Sequence, residues 1–273
     1  MSWRHKRDAR RAGLAVDKER MMRRSRLARW LPVLMGGGAT PFVDPSSIDG
    51  LLLWCAADQL SLNDGDAVAS FTDLSGNGNH PVCANAANKP TYKTNILNSL
   101  PALLFSGDLD ANGDWLRVGF NRAIPNTVFV VFQMLTLRDS SQILSGYNEP
   151  NRLTVVAGTS STNAIKAAST TTLVYSNAGT DVFAIWTVEF NGATSNIYKA
   201  GTLVKSGNTG TTVENGITIG VSPYLVLYGA NGTRELTNAH MYLAEVIIYN
   251  SVLSEEQREN VGNYLSEKYG LNF

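Results

Sequence analysis

The sequence predicts an all-β protein of the sandwich class, and three observations predict it. From about residue 48 onward nearly every apolar segment is short, rich in Val, Ile, Phe, Tyr and Thr, and bounded by Gly, Asn, Asp or Pro, the punctuation of strands at sandwich or barrel spacing. Within VFAIWTVEFNGATSNIYKAGTLVKSG, Asn191-Gly192 has the chemistry of a type I′ hairpin, whose two central residues both need positive φ, so two or three antiparallel strands are expected in a row. Only one segment, SEEQRENVGNYLSEKYG, carries convincing helix signals.

The chain opens on an arm, residues 1–34. The first 30 residues hold 11 Lys and Arg against three acidic residues, which leaves 12 basic and 20 acidic residues in the remainder and a formal net charge of zero over 273 residues. A basic arm on an acidic body is expected to meet a negatively charged partner or an assembly surface. Residues 35–47, with three glycines and then Pro41 and Pro45, form a linker. The apolar run WLPVLM is far shorter than the roughly 20 residues of a membrane helix, so no transmembrane segment is expected.

The sandwich body then occupies 48–273. Its strands are expected at LLLWCAA, AVASFT, ALLFS, WLRVGF, TVFVVFQML, QILSG, RLTVVAG, TLVYS, VFAIWTVEF, NIYKAG, GITIG and YLAEVIIYN. Trp54, Trp186 and Phe190 lie in continuous apolar runs and read as core. Cys55 in an apolar run and Cys83 in a polar loop read as two free thiols rather than one bridge. The helix has Ser254 and Gln257 placed as a capping box, Val261, Tyr264, Leu265 and Lys268 on one face, and Gly270 as its stop. It is expected across an edge or end of the sandwich.

One loop carries metal-like spacing. In SGDLDANGDWL, Asp108, Asp110, Asn112 and Asp114 alternate around Gly113, and alternate acidic residues in a tight loop can all aim oxygens at a Ca²⁺ ion. The EF-hand's bidentate Glu is missing, since the twelfth position from Asp108 is Gly119. Calcium is therefore a candidate cofactor, with the polar loop between strands as the alternative. The loop DLSGNGNH reads chiefly as self-capping turns. Trp115 follows the acidic loop, and Tyr147, Tyr224 and Tyr228 border Gly- and Asn-rich loops where a ring can stack on a ligand; with Asn231 and Arg234 they are the expected ligand contacts.

LLLWCAADQL, VASFTDLSGNGNHPV, KPTY, LPALLFSG with DWLRV, and YLAEVIIYNSVLSEEQRENVGNYLSEKYGL together resemble the concanavalin A-like, laminin-G-like jelly-roll domains of tailed-phage virion proteins and bacterial surface proteins, over about residues 48–273. The resemblance implies a two-sheet antiparallel jelly-roll sandwich that often binds glycans or protein surfaces, often with calcium. It leads to the expectation of a phage virion structural protein, a decoration, fibre or adhesion module, homo-oligomeric and located in the virion. The alternative is a secreted or surface carbohydrate-binding protein of a bacterium.

An enzyme is not expected. The E-x-D-x-x-E arrangement of glucanases of this fold is absent, Glu189 and Glu245 stand alone on their strands as residues of a solvated face, and Glu235 falls in a loop. A retaining hydrolase needs two carboxyl groups about 5 to 5.5 Å apart. A glycoside hydrolase or polysaccharide lyase is the third reading. The arm residues Arg23, Arg24, Arg26, Leu27, Arg29, Trp30 and Leu31 are expected to dock on other virion subunits, with nucleic acid contact as the alternative.

Overall fold

A computed structural model describes residues 43–106, 113–136, 141–146, 154–157, 163–212, 214–220, 226–228, 234–236 and 238–273. The expected arm, residues 1–34, and its boundary with the linker lie outside them, whereas the linker's expected end at residue 47 lies within. The body is the all-β sandwich that the strand pattern predicts. Its larger sheet contains β1 (Leu51–Ala56), β2 (Thr91–Leu97), β3 (Leu100–Ser106), β5 (Asn126–Thr136), β10 (Ala184–Phe190), β11 (Ser195–Lys199), β12 (Thr202–Gly207) and β16 (His240–Tyr249), in the order β12-β11-β10-β5-β16-β3-β2 with β1 also on β16. The smaller sheet runs β4 (Leu116–Arg122), β13 (Glu214–Ile219), β6 (Ser141–Ser145), β7 (Thr154–Ala157), β8 (Ile165–Ala168) and β9 (Thr172–Tyr175), and β14 (Val226–Tyr228) pairs β15 (Arg234–Leu236) as a separate hairpin. All named strand pairs are antiparallel.

Strand alternation separates two apolar layers. Leu53, Phe105, Val128, Val130, Phe132, Trp186, Val188 and Phe190 meet Leu116, Ile143, Ile165, Leu173, Ile217 and Ile219 between the sheets. On the other side of the large sheet, Trp54, Phe129, Val131, Ile185, Ile247 and Tyr249 meet Val261, Tyr264, Leu265 and Tyr269 of the helix α1 (Glu255–Tyr269). The helix thus covers the outer face of the sheet rather than an edge or end, because that face presents apolar residues from β1, β5, β10 and β16 together. Its ends match the sequence: Ser254 and Gln257 form the reciprocal capping box and Gly270 takes the left-handed stop at φ 63°.

The same face corrects the reading of the two strand glutamates. Glu189 and Glu245 are not solvated; both are buried under α1. Glu245 Oε1 accepts from Trp54 Nε1 at 2.6 Å and Tyr264 OH at 2.8 Å, while Oε2 accepts from Tyr269 OH and Lys268 Nζ at 2.7 Å each. Glu189 Oε1 accepts from Arg258 at 3.0 Å, and its Oε2 from Asn196 at 2.9 Å and Tyr198 OH at 3.0 Å. Burial, followed by the Glu189 charge, pushes the Tyr198 hydroxyl up to about 12. Arg258 and Lys268 lie ten residues apart on the helix, about 15 Å of rise, so the two carboxylates hold both its ends.

A bulge makes this possible. On β16, Met241 and Leu243 face the inter-sheet core, yet beyond Ala244 it is Val246 and Ile248 that do so. The register against β5 slips between Leu243 and Glu245, and one extra residue reverses the side-chain parity. Glu245 is thereby aimed at the helix instead of into the apolar layer.

Several local expectations change. Asn191-Gly192 opens a four-residue connection with a 3₁₀ turn at Gly192–Thr194, and Asn191 has φ −139°, so it is not a type I′ turn. The tight hairpins are instead at Ala200-Gly201, with φ 47° and 72°, and Asn98-Ser99, with φ 49° and 60°. AVASFT forms isolated bridges at Ala67 and Ser70 rather than a strand, and β2, β8, β14 and β15 add strands where none was expected, with Glu235 on β15 rather than in a loop. Both cysteines are free and buried, Cys83 included.

Because Glu189 is buried beneath Arg258, Arg258→Ala should destabilise the fold by about 3 kcal/mol, within the range for breaking a buried pair by removing one partner. Lys93→Ala, which removes the exposed pair with Asp64, should cost no more than about 1 kcal/mol. Urea unfolding of the two variants checks the contrast.

Candidate functional site

Register places several strand ends together at one end of the sandwich. His240 at the start of β16 is paired with Ser106 at the end of β3 and with Thr136 at the end of β5. Gln142 near the start of β6 bridges to Asn238, and Gly220 after β13 donates to Ile143 O and accepts from Ala239 N. The segment bearing the acidic loop and the segment between β13 and β16 therefore leave the sandwich side by side. Loops positioned by a rigid scaffold are where binding residues concentrate.

The base is polar and closed. Asp114 is buried, and its Oδ2 accepts from Ser106 N at 2.7 Å, joining the two ends of the 106–114 loop. Asn88 Nδ2 donates to Gly113 O at 3.0 Å, and Trp115 N donates to Asn88 O at 2.9 Å. Asn238 lies against Gly113 so closely that a Cβ there would fall on its amide. That packing is a reason for glycine at 113 beyond the turn that the spacing suggests. Gly220 is held at φ 90°, with Phe105 and the Asp114 carbonyl where a side chain would go. Buried Gln142 has its Oε1 without a partner among the described residues.

Of the four residues singled out for calcium, Asp114 alone is described; Asp108, Asp110 and Asn112 lie outside the described residues. Among the described residues, no three His, Cys, Asp or Glu side chains cluster as metal ligands. Trp115 is half-buried against the inter-sheet core, with Arg117 stacked 5.0 Å from its ring centroid, so much of the ring is used in packing. Tyr228 and Arg234 are backbone partners across the β14–β15 hairpin. Tyr147, Tyr224 and Asn231 fall outside the described residues, as do Arg23, Arg24, Arg26, Leu27, Arg29, Trp30 and Leu31. Asn88, Gln142 and Asn238, which build the base, were missed: single amides in loops and on a short strand have no spacing to betray them.

The loop DLSGNGNH is structural. Asp73 Oδ1 accepts from the backbone N–H groups of Trp54 and Ser75, and Oδ2 from Asn79 N and Ser75 Oγ. Asn77 and Asn79 donate to the carbonyls of Leu51 and Leu52. The loop thus covers a β1 edge that would otherwise offer unpaired backbone groups.

No protein-family model and no curated protein matches the chain. Solved structures do match, at low identity. Domain 4 of AbnA, an extracellular GH43 arabinanase of Geobacillus stearothermophilus determined with arabinotriose, aligns at 14% identity and TM-score 0.52 over 78% of this chain and 98% of the domain. The binding domain of Paraclostridial Mosquitocidal Protein 1 aligns at 10% identity and TM-score 0.55, over 81% of this chain and 53% of that one. The sialidase of Trypanosoma rangeli with sialic acid aligns at 15% and 0.50, over 87% and 35%. The chain spans the whole arabinanase domain but about half and a third of the other two. At these identities the likeness is one of fold.

Because Asn238 occupies the space beside Gly113, Gly113→Ala should destabilise by about 1–3 kcal/mol, the usual cost of overpacking. Adding Asn238→Ala should make the two changes cost less together than their sum, a coupling that a double-mutant cycle in thermal unfolding reads directly.

Proposed function

We propose that the chain is a glycan-binding display module that holds a sugar polymer without cleaving it, within a virion structural protein whose basic N-terminal arm docks on other subunits. The observation that carries the glycan reading is the match along 98% of Domain 4 of the arabinanase, determined with arabinotriose. The strand ends converging at the Asp114–Asn238 base give such a ligand a rigid platform. Glu189, Glu245 and Asp73 all face structural donors, which favours binding over cleavage. The virion reading rests on the resemblance of the sequence blocks to tailed-phage sandwich domains and on the contrast between a basic arm and an acidic body.

Glycan arrays should show binding, and long incubation with the bound polymer should release no oligosaccharide. Released product would overturn the non-cleaving reading, and no binding across the array would overturn the glycan reading. Removing residues 1–34 should leave sugar binding intact and abolish incorporation into the assembly. A second reading, a secreted bacterial carbohydrate-binding protein, is favoured by the arabinanase domain's origin in an extracellular enzyme. A mature N-terminus beyond residue 34 would select it.

Calcium is part of the proposal. Asp108, Asp110 and Asp114 would supply carboxylate oxygens and Asn112 an amide oxygen, with affinity on the order of 10⁻⁴ to 10⁻³ M, as in extracellular modules. Millimolar calcium should then raise the melting temperature of the wild type by mass action and do little for Asp110→Ala. Equal responses would remove calcium from this loop.

A further inference from the structure

Beneath the last turn of α1 an amine and two carboxyl groups share one buried pocket. Lys268 Nζ lies 2.7 Å from Asp58 Oδ1 and 2.7 Å from Glu245 Oε2, and the three side chains are 7%, 9% and 0% exposed. Trp54, Tyr264 and Tyr269 wall the pocket, with Nζ 5.4 and 5.1 Å from the two tyrosine ring centroids. Glu245 is satisfied by four donors. Asp58 is not comparably held: Oδ2 accepts from Gln59 Nε2 at 2.9 Å, and Oδ1 has no aligned hydrogen bond although Nζ is in contact with it. The amine thus approaches the carboxyl group closely but out of alignment for donation.

We propose that Lys268 and Asp58 join in an intramolecular isopeptide bond between Nζ and Cγ, with Glu245 moving the proton. An ammonium and a carboxylate condense to an amide and one water, with no oxidant, reductant or change in total charge. Glu245 takes a proton from the ammonium, the freed Nζ lone pair attacks Cγ of Asp58, and the N–C bond forms. Protons returned through Glu245 convert the departing Asp58 oxygen to water as its C–O bond breaks, and Glu245 ends ionised, accepting from the new amide N–H.

Three features of the pocket favour the step. Nζ is held 2.7 Å from Oδ1 of the carboxyl group it attacks, which replaces a bimolecular encounter by an intramolecular one. Gln59 donates to the carboxyl oxygen on which negative charge grows during attack. Condensation also lowers the number of buried ions from three to one, and desolvated ions are what such a pocket tolerates least. Against it, although desolvation lowers the Lys268 pKa, the charges of Glu245 and then Asp58 outweigh that and hold it above its ordinary value. The free amine is therefore scarce and the bond should form slowly after folding. The inference is independent of the glycan reading.

Intact-mass measurement on the denatured full-length chain should find it one water lighter than its sequence. A digest should yield the peptides containing Asp58 and Lys268 as one branched species. Lys268→Arg, which keeps the cation but cannot form the bond, should have its full sequence mass. Wild-type protein at full mass after prolonged incubation, with both peptides free, would overturn the proposal. So would a water loss mapped to Asp49-Gly50 or Asp64-Gly65, where an aspartate before glycine can cyclise. Glu245→Gln should form the bond markedly more slowly, and branching at the wild-type rate would overturn the role given to Glu245.

Discussion

The fold turns on the burial of Glu245. A carboxylate without partners in an apolar layer is intolerable, so everything around it has to supply charge and donors. It obtains them from an indole on β1, two phenols and an ammonium on α1. The bulge at Ala244 exists in the same logic, because without its change of parity the carboxylate would enter the apolar inter-sheet layer, away from the four donors that hold it. Helix position, helix rotation and the register of β16 against β5 are thus tied to one side chain. Glu189 repeats the device 56 residues earlier in the chain, with a guanidinium in place of the ammonium.

This arrangement explains why a helix with modest apolar content is held firmly on the sheet. Apolar burial by Val261, Leu265 and the two tyrosine rings brings α1 to the face, but apolar contact alone leaves a helix free to slide and turn. Two ion pairs set about three helical turns apart remove that freedom. The tyrosines serve both purposes, packing through the ring and donating through the hydroxyl. Burial, and then the Glu245 charge, pushes both hydroxyls well above their ordinary range, so they remain donors at any physiological pH.

Elements whose signals are local were legible in the sequence. The capping box at Ser254 and Gln257, the stop at Gly270 and the apolar face of α1 are encoded within one segment, and the long runs of β5, β10 and β16 are unmistakably strand-like. What escaped was set by partners distant in sequence. Nothing local distinguishes a glutamate facing water from one facing a helix that comes later in the chain, so Glu189 and Glu245 read as solvated. The alternation that exposes a polar face is the same whether or not a helix then covers it. β8, with the sequence IKAA, is a strand because neighbours pair on both sides, against its own weak propensity. Ala200 takes a left-handed conformation that alanine seldom adopts, whereas the Asn-Gly pair meant for such a turn sits in a longer one. At the end of the sandwich that carries the acidic loop, the spacing pointed at Asp114, but its bond to Ser106 and the amides of Asn88, Gln142 and Asn238 depend on the fold closing first.

The position of β16 has a consequence for how the chain is made. β16 joins β5 along its whole length on one edge, and on the other it meets β3 through His240–Leu243 and β1 through Glu245–Tyr249. Among the described strands it is therefore the only link between the β5-β10-β11-β12 block and the strands before it. While a ribosome is still adding residues before 240, those blocks are separate ribbons with apolar faces and open edges, and the sheet cannot close. Closure must await residues that are synthesised late, over sequence separations approaching 200. A nascent chain of this kind is exposed to mispairing for most of its synthesis, and the charged helix that follows β16 completes the sheet's cover almost as soon as the strand itself arrives.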